Sequence, residues 1–185
     1  MMLYFIFGLG NPGSEYKHTR HNAGFMVADA LAEKMNVSWE SKPKFQAKVA
    51  GSPSFQVILA KPQTFMNDSG RAVASVLNFY DKERCVAKDF NKVFVCYDDL
   101  DIELGQYKIQ FEKHPKIHHG VSSVVQALGS EAFWNVRIGV DTRAGDRQIS
   151  SVDYVLTSFS QEEKTVLAKV LKNVVQEVHA QIVSS

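Results

Sequence analysis

The apolar residues of this chain follow two rhythms. Leu3-Tyr4-Phe5-Ile6-Phe7 and Val93-Phe94-Val95-Cys96-Tyr97 are short, continuous apolar runs, as in strands covered on both faces. Residues 45–50 and 55–60 also read as strands, and Gly51-Ser52-Pro53-Ser54 between them predicts a hairpin. Two further strands are predicted at 106–111 and 136–140. Helical spacing of apolar positions occupies 23–35, 72–80, 121–128 and 166–182. Ser160-Gln161-Glu162-Glu163 introduces the last of these as a capping box, in which serine and glutamate satisfy each other's backbone N–H groups. No repeat, low-complexity segment or linker interrupts the pattern. It predicts an α/β fold: a single domain over 1–185 with a mixed, twisted central sheet flanked by helices.

Composition narrows the class. A chain of 185 residues buries roughly 70% of its unfolded surface on folding. With 45% hydrophobic and 22% charged residues it is neither a disordered nor a membrane chain. The apolar start has no basic flank or cleavage pattern and is too short to span a bilayer, so a cytoplasmic protein without membrane contact is expected. Cys85 and Cys96 lack metal-type spacing, and Cys96 reads as a core thiol. A net charge of +1 excludes bulk polyelectrolyte binding; an RNA partner would need a local basic patch.

The chemistry gathers after the first strand. Gly8, Gly10 and Gly13 have the spacing of a dinucleotide fingerprint, but Pro12 and a polar loop stand where the phosphate-binding helix should begin. The acidic partner expected about 20 residues on is matched only by Asp29 and Glu33, inside a helical pattern. What remains is a loop rich in hydrogen-bonding groups, with His18 and His21 three apart and Asn11 and Asn22 at its ends. Imidazole takes a proton from water near pH 7, and carboxamides orient polar groups without charge. Asn22 is also placed to cap the first helix, and Thr64 or Asn67 the second. Asp98, Asp99 and Asp101 follow the strand at 92–97, where carboxylates cap turns, bind divalent cations or orient a histidine.

These clusters, taken together, resemble the bacterial-type peptidyl-tRNA hydrolases. The resemblance rests on Gly8-Leu9-Gly10-Asn11-Pro12-Gly13 with Tyr16 and Thr19-Arg20-His21-Asn22, and on the run from Lys61 to Gly70. It continues through Asp98-Asp99-Leu100-Asp101, Arg137-Ile138-Gly139 and Asp153-Tyr154-Val155-Leu156. It implies a monomeric enzyme, without metal or other cofactor, that hydrolyses the ester between a peptide and the 3′ ribose of tRNA. By resemblance His21 is the general base, Asp98 orients it, and Asn11 and Asn67 position substrate and water. Tyr16 and Met66 would line the cleft. No nucleophile elbow or suitably placed cysteine is present, so direct attack by water is expected.

One departure stands out. The family's Gly-Gly-His-Asn-Gly-Leu is replaced by Lys116-Ile117-His118-His119-Gly120-Val121, which puts His119 where an asparagine is expected. A basic patch for tRNA is expected from Lys108, Lys113, Lys116, Arg137 and Arg143. Two other readings fit parts of the pattern: an RNA-binding relative without catalysis, and a metal-dependent hydrolase using His18, His21 and the 98–101 carboxylates.

Overall fold

The computed structural model describes residues 3–52, 56–115, 117–144 and 148–183. In chain order come β1 (Tyr4–Gly8), α1 (Ala23–Lys34), β2 (Glu40–Lys42), β3 (Ala47–Ser52), β4 (Val57–Pro62) and α2 (Ser69–Tyr80). Then follow α3 (Lys82–Ala87), β5 (Phe90–Glu103), β6 (Tyr107–Phe111), α4 (His119–Leu128), β7 (Phe133–Asp141), α5 (Ser151–Val155) and α6 (Gln161–Val183).

All seven strands join one mixed sheet in the order β2-β3-β4-β1-β5-β7-β6. The four central strands are parallel; β3 at one side and β6 at the other run against them, and β2 pairs antiparallel with β3 at the edge. The parallel strands are apolar on both faces because helices cover both. Tyr4 and Ile6 of β1, with Phe94 and Cys96 of β5, pack against α1 and α6. Phe5 and Phe7, with Val93, Val95 and Tyr97, pack against α2 and α4. Burial pushes the Cys96 thiol pKa far up, which suits its place in the core.

The apolar stripe of α6 lies on the first of these cores through Leu167, Val170, Val174, Val178 and Ile182. Its capping box closes as the sequence implies: Ser160 N–H donates to Glu163 Oε2 at 2.8 Å and Glu163 N–H to Ser160 Oγ at 3.2 Å. The hairpin of β3 and β4 is present, although residues 53–55 of its turn lie outside the described residues.

Where the fold differs from the sequence reading, short or charged elements are responsible. The carboxylates at 98–101 do not end β5, which continues to Glu103 through a register irregularity against β7 between Asp99 and Glu103. β2, α3 and α5 are additional, each of six residues or fewer. No helix among the described residues is long and apolar enough to cross a membrane.

β1 sits beside β4 on one side and β5 on the other, and the chain leaves their carboxyl ends in different directions. Such a switch point opens a crevice at the strand ends.

Candidate active site

Two loops and one strand supply the site. After β1 the chain makes two single 3-10 turns, Ser14–Tyr16 and Arg20–Asn22, before α1 begins. After β4 a third turn, Met66–Asp68, leads into α2. β5 brings Asp98 between them. The first turn of α1 rests directly on the strand backbones: a Cβ on Gly24 would lie 2.2 Å from the Cys96 carbonyl oxygen, and one on Gly8 2.3 Å from the Gly24 oxygen. Only glycine at both positions allows this approach, and it is what carries His21 to β5.

His21 Nδ1 lies 2.8 Å from Asp98 Oδ1. An ionised carboxylate only accepts, so the ring proton of neutral His21 sits on Nδ1 and Nε2 keeps its lone pair. The His21 side chain is 14% exposed and that of Asp98 2%. Burial pulls the His21 pKa down, but the charge and hydrogen bond of Asp98 outweigh it, and the net shift is upward from 6.5. Burial pushes Asp98 up, yet the charge of His21 and hydrogen bonds from His118 and His21 hold its carboxyl well below the usual range.

A second imidazole reaches the same oxygen. His118, buried at the start of α4, has Nε2 3.2 Å from Asp98 Oδ1, and its Nδ1 accepts the Val121 N–H at 3.2 Å. A donor aimed at Nδ1 requires a lone pair there, which puts the proton on Nε2. His118 therefore caps α4 and donates to Asp98 at once. Its ring lies 5.3 Å from that of His21 and 4.9 Å from that of Tyr97.

Asn11 and Asn22 form the other half of the loop. Asn22 Oδ1 accepts the Asn11 N–H at 2.8 Å and Asn22 Nδ2 donates to the Asn11 carbonyl at 3.0 Å. Asn22 therefore does not cap α1 with its side chain; it clamps the backbone of Asn11. Asn11 Oδ1 in turn accepts the Met66 N–H at 2.8 Å, joining the β1 and β4 loops. Met66 is buried against Gly120, where an added Cβ would meet its sulfur at 2.4 Å.

A family model described as peptidyl-tRNA hydrolase matches residues 5–185. The chain belongs to the peptidyl-tRNA hydrolase family. Its relatives include the peptidyl-tRNA hydrolase of Sulfurihydrogenibium sp. (strain YO3AOP1), 39% identical over 92% of this chain and 86% of that protein. That of Thermoanaerobacter sp. (strain X514) is 42% identical over 89% and 85%. The crystal structure of peptidyl-tRNA hydrolase from Acinetobacter baumannii superposes with a TM-score of 0.84 at 28% identity, covering 98% of this chain and 89% of that one.

Within this peptidyl-tRNA hydrolase fold the other residues singled out in the sequence are distributed unevenly. Tyr16 is half-buried on the β1 loop, where its carbonyl accepts the Thr19 hydroxyl at 2.8 Å. Asn67 is exposed beside Met66, and neither it nor Thr64 caps the following helix; the Thr64 hydroxyl is buried without a partner among the described residues. Phe65 between them is 61% exposed. His119, the first residue of α4, is exposed, and it is the preceding His118 that reaches Asp98.

Of the expected basic patch, the two arginines are occupied within the fold. Arg137 Nε donates to Asp99 Oδ2 at 2.7 Å and its NH1 to Gln110 Oε1 at 3.2 Å. Arg143 holds Asp141 with Nε and NH2 at 2.8 and 3.0 Å. Lys108 and Lys113 are exposed, and Lys116 lies outside the described residues.

His21, Asp98 and His118 bring three potential ligand atoms within 4.8 Å of one another. The hydrogen bonds already fill that space, because His21 Nδ1 and His118 Nε2 both carry their protons toward Asp98. A cation there would have to displace both protons, and the Val121 N–H opposes the exchange at His118. His18 is exposed on the loop and stands outside this group.

Proposed function

We propose that the chain hydrolyses the ester bond of peptidyl-tRNA, with His21 as general base and Asp98 as the group that orients it. The observation that carries these roles is the 2.8 Å contact between His21 Nδ1 and Asp98 Oδ1, which leaves Nε2 as the basic nitrogen. Nε2 takes a proton from water as the oxygen attacks the ester carbonyl carbon. The imidazolium, steadied by Asp98, returns that proton to the ribose oxygen as the carbon–oxygen bond breaks. The products are a peptide carboxylic acid, which releases its proton to solvent at neutral pH, and a free ribose hydroxyl.

The two asparagines divide the remaining work. Asn11 spends its side-chain oxygen on Met66 and shapes the cleft wall, whereas the exposed amide of Asn67 is available to the water or the developing oxyanion. A donor so placed contributes roughly 2.7–4 kcal/mol to the transition state. Tyr16 and Met66 line the path of the substrate's end, His119 takes the place of an amide beside it, and Lys108, Lys113 and Lys116 meet tRNA phosphates. No metal enters this scheme. The chain acts as a cytoplasmic monomer, which sedimentation at working concentration checks.

Hydrolysis of an N-acetylated aminoacyl-tRNA in oxygen-18 water tests the chemistry. One labelled oxygen should appear in the released carboxylate and none in the ribose hydroxyl, with no burst of acyl-enzyme. Label in the ribose, or a burst, would contradict direct attack at the carbonyl.

A further inference from the structure

His21 lies in a 3-10 turn of only three residues, Arg20–Asn22, which has too few internal hydrogen bonds to hold a side chain still. Its neighbours hold it from opposite sides. Asn22 clamps Asn11, as described above. Arg20, 5% exposed, extends the other way, into a socket made by the segment between α5 and α6.

There NH1 of Arg20 donates to Thr157 Oγ1 at 2.8 Å and to the Ser158 carbonyl at 2.9 Å, and NH2 to Glu163 Oε1 at 2.6 Å. The guanidinium carbon lies 4.4 Å from the centre of the Tyr154 ring and 5.0 Å from that of Phe159. The backbones follow: Arg20 N–H donates to the Thr157 carbonyl, Phe159 N–H to the His18 carbonyl, and Thr19 bridges Ser158. Glu163 is the glutamate of the α6 capping box, and its Oε1 also accepts the Thr142 hydroxyl at 2.9 Å. The socket is thus fixed to the long C-terminal helix and to the end of β7, about a hundred and forty residues away in sequence.

We propose that Arg20 is a positioning residue for the general base: seated between Tyr154, Phe159 and Glu163, it fixes the turn that aims His21 Nδ1 at Asp98. The inference rests on the role of His21 proposed above. A planar, forked cation is required, because lysine cannot donate to Ser158 and Glu163 in two directions while lying between two rings. The C-terminal helix therefore contributes to turnover through its first turn, without touching substrate.

The test combines kinetics with a signal from the free protein. Release of tRNA from N-acetylated aminoacyl-tRNA is measured for wild type, Arg20→Lys, Asp98→Asn and the double variant, and the His21 Nδ1 proton is followed by NMR. Arg20→Lys should lower kcat about 10- to 100-fold with KM nearly unchanged. In the Asp98→Asn background the same change should cost less than about twofold, since the charged contact it serves is already gone. The Nδ1 proton signal should broaden or disappear in Arg20→Lys.

If Arg20→Lys does not fold, Glu163→Gln retains the capping acceptor and should give the same pattern at about threefold. A full multiplicative loss in the Asp98→Asn background, a change confined to KM, or an unaltered Nδ1 signal would each overturn the proposal. Failure of the wild type to hydrolyse the substrate would refute the function, while the Nδ1 signal would still decide the role of Arg20.

Discussion

His118 Nε2 approaches Asp98 Oδ1 at 3.2 Å, on the oxygen that His21 Nδ1 already meets at 2.8 Å. One carboxylate oxygen thus serves two imidazoles, one from the loop before α1 and one from the start of α4. His118→Ala removes a donor from Asp98 and the N-cap of α4, the latter worth about 0.5–2 kcal/mol. His118→Asn retains the cap, because asparagine is a preferred N-cap residue. We expect Asn at 118 to keep the melting temperature near that of the wild type and to lower kcat about 10-fold, the size of one hydrogen bond to a charged group. Thermal melts and steady-state kinetics on both variants separate the two roles.

The raised pKa of His21 sets the pH dependence. A general base must be unprotonated, so kcat/KM should fall as pH drops through a midpoint above the ordinary 6.5 of histidine. In Asp98→Asn the charge that raises the pKa is gone and burial, which lowers it, remains. The midpoint should then move below 6.5, while kcat falls about 10²- to 10⁴-fold. NMR titration of His21 in both proteins checks the direction; a midpoint unmoved by the substitution would show that Asp98 does not control the base.

Met66 ties the cleft to the core, and two substitutions should loosen it differently. Gly120→Ala places a Cβ against the Met66 sulfur and should cost about 1–3 kcal/mol of stability through overpacking. Asn11→Ala strands the buried Met66 N–H, at about 1–3 kcal/mol. Both should raise KM through a displaced cleft wall, measurable alongside denaturant unfolding.

Lys108 and Lys113 are exposed ammonium groups, whereas Arg137 and Arg143 are paired with Asp99 and Asp141. Neutralising each lysine that touches a phosphate should reduce the slope of log affinity for tRNA against log salt by roughly 1. Arg137→Gln should act mainly on stability, by leaving buried Asp99 without its cation.

Much of this architecture is legible in the sequence, and what is not has physical causes. The runs of β1 and β5, the period of α6 and its capping box are local patterns, and each reports a local structure. β2 is three residues long and largely exposed, and α3 and α5 are too short to establish a period. Asn22 has the placement of a helix cap, and only its bond to Asn11, eleven residues back, reveals the different duty. His21 and Asp98 are 77 residues apart, so family resemblance and not spacing is what pairs them in the sequence. The replaced asparagine points to His119, whereas the histidine retained one position earlier in the same family run, His118, is the sequence signal for the residue that reaches Asp98. The sequence does not reveal that Arg137 is occupied, because its partner Asp99 comes from a neighbouring strand.

The most direct test is release of free tRNA from an N-acetylated aminoacyl-tRNA, in excess chelator, by the wild type and by His21→Ala. The account predicts turnover that chelator does not change and that His21→Ala lowers by about 10²- to 10⁴-fold. Activity that chelator abolishes, or that His21→Ala retains, would contradict it.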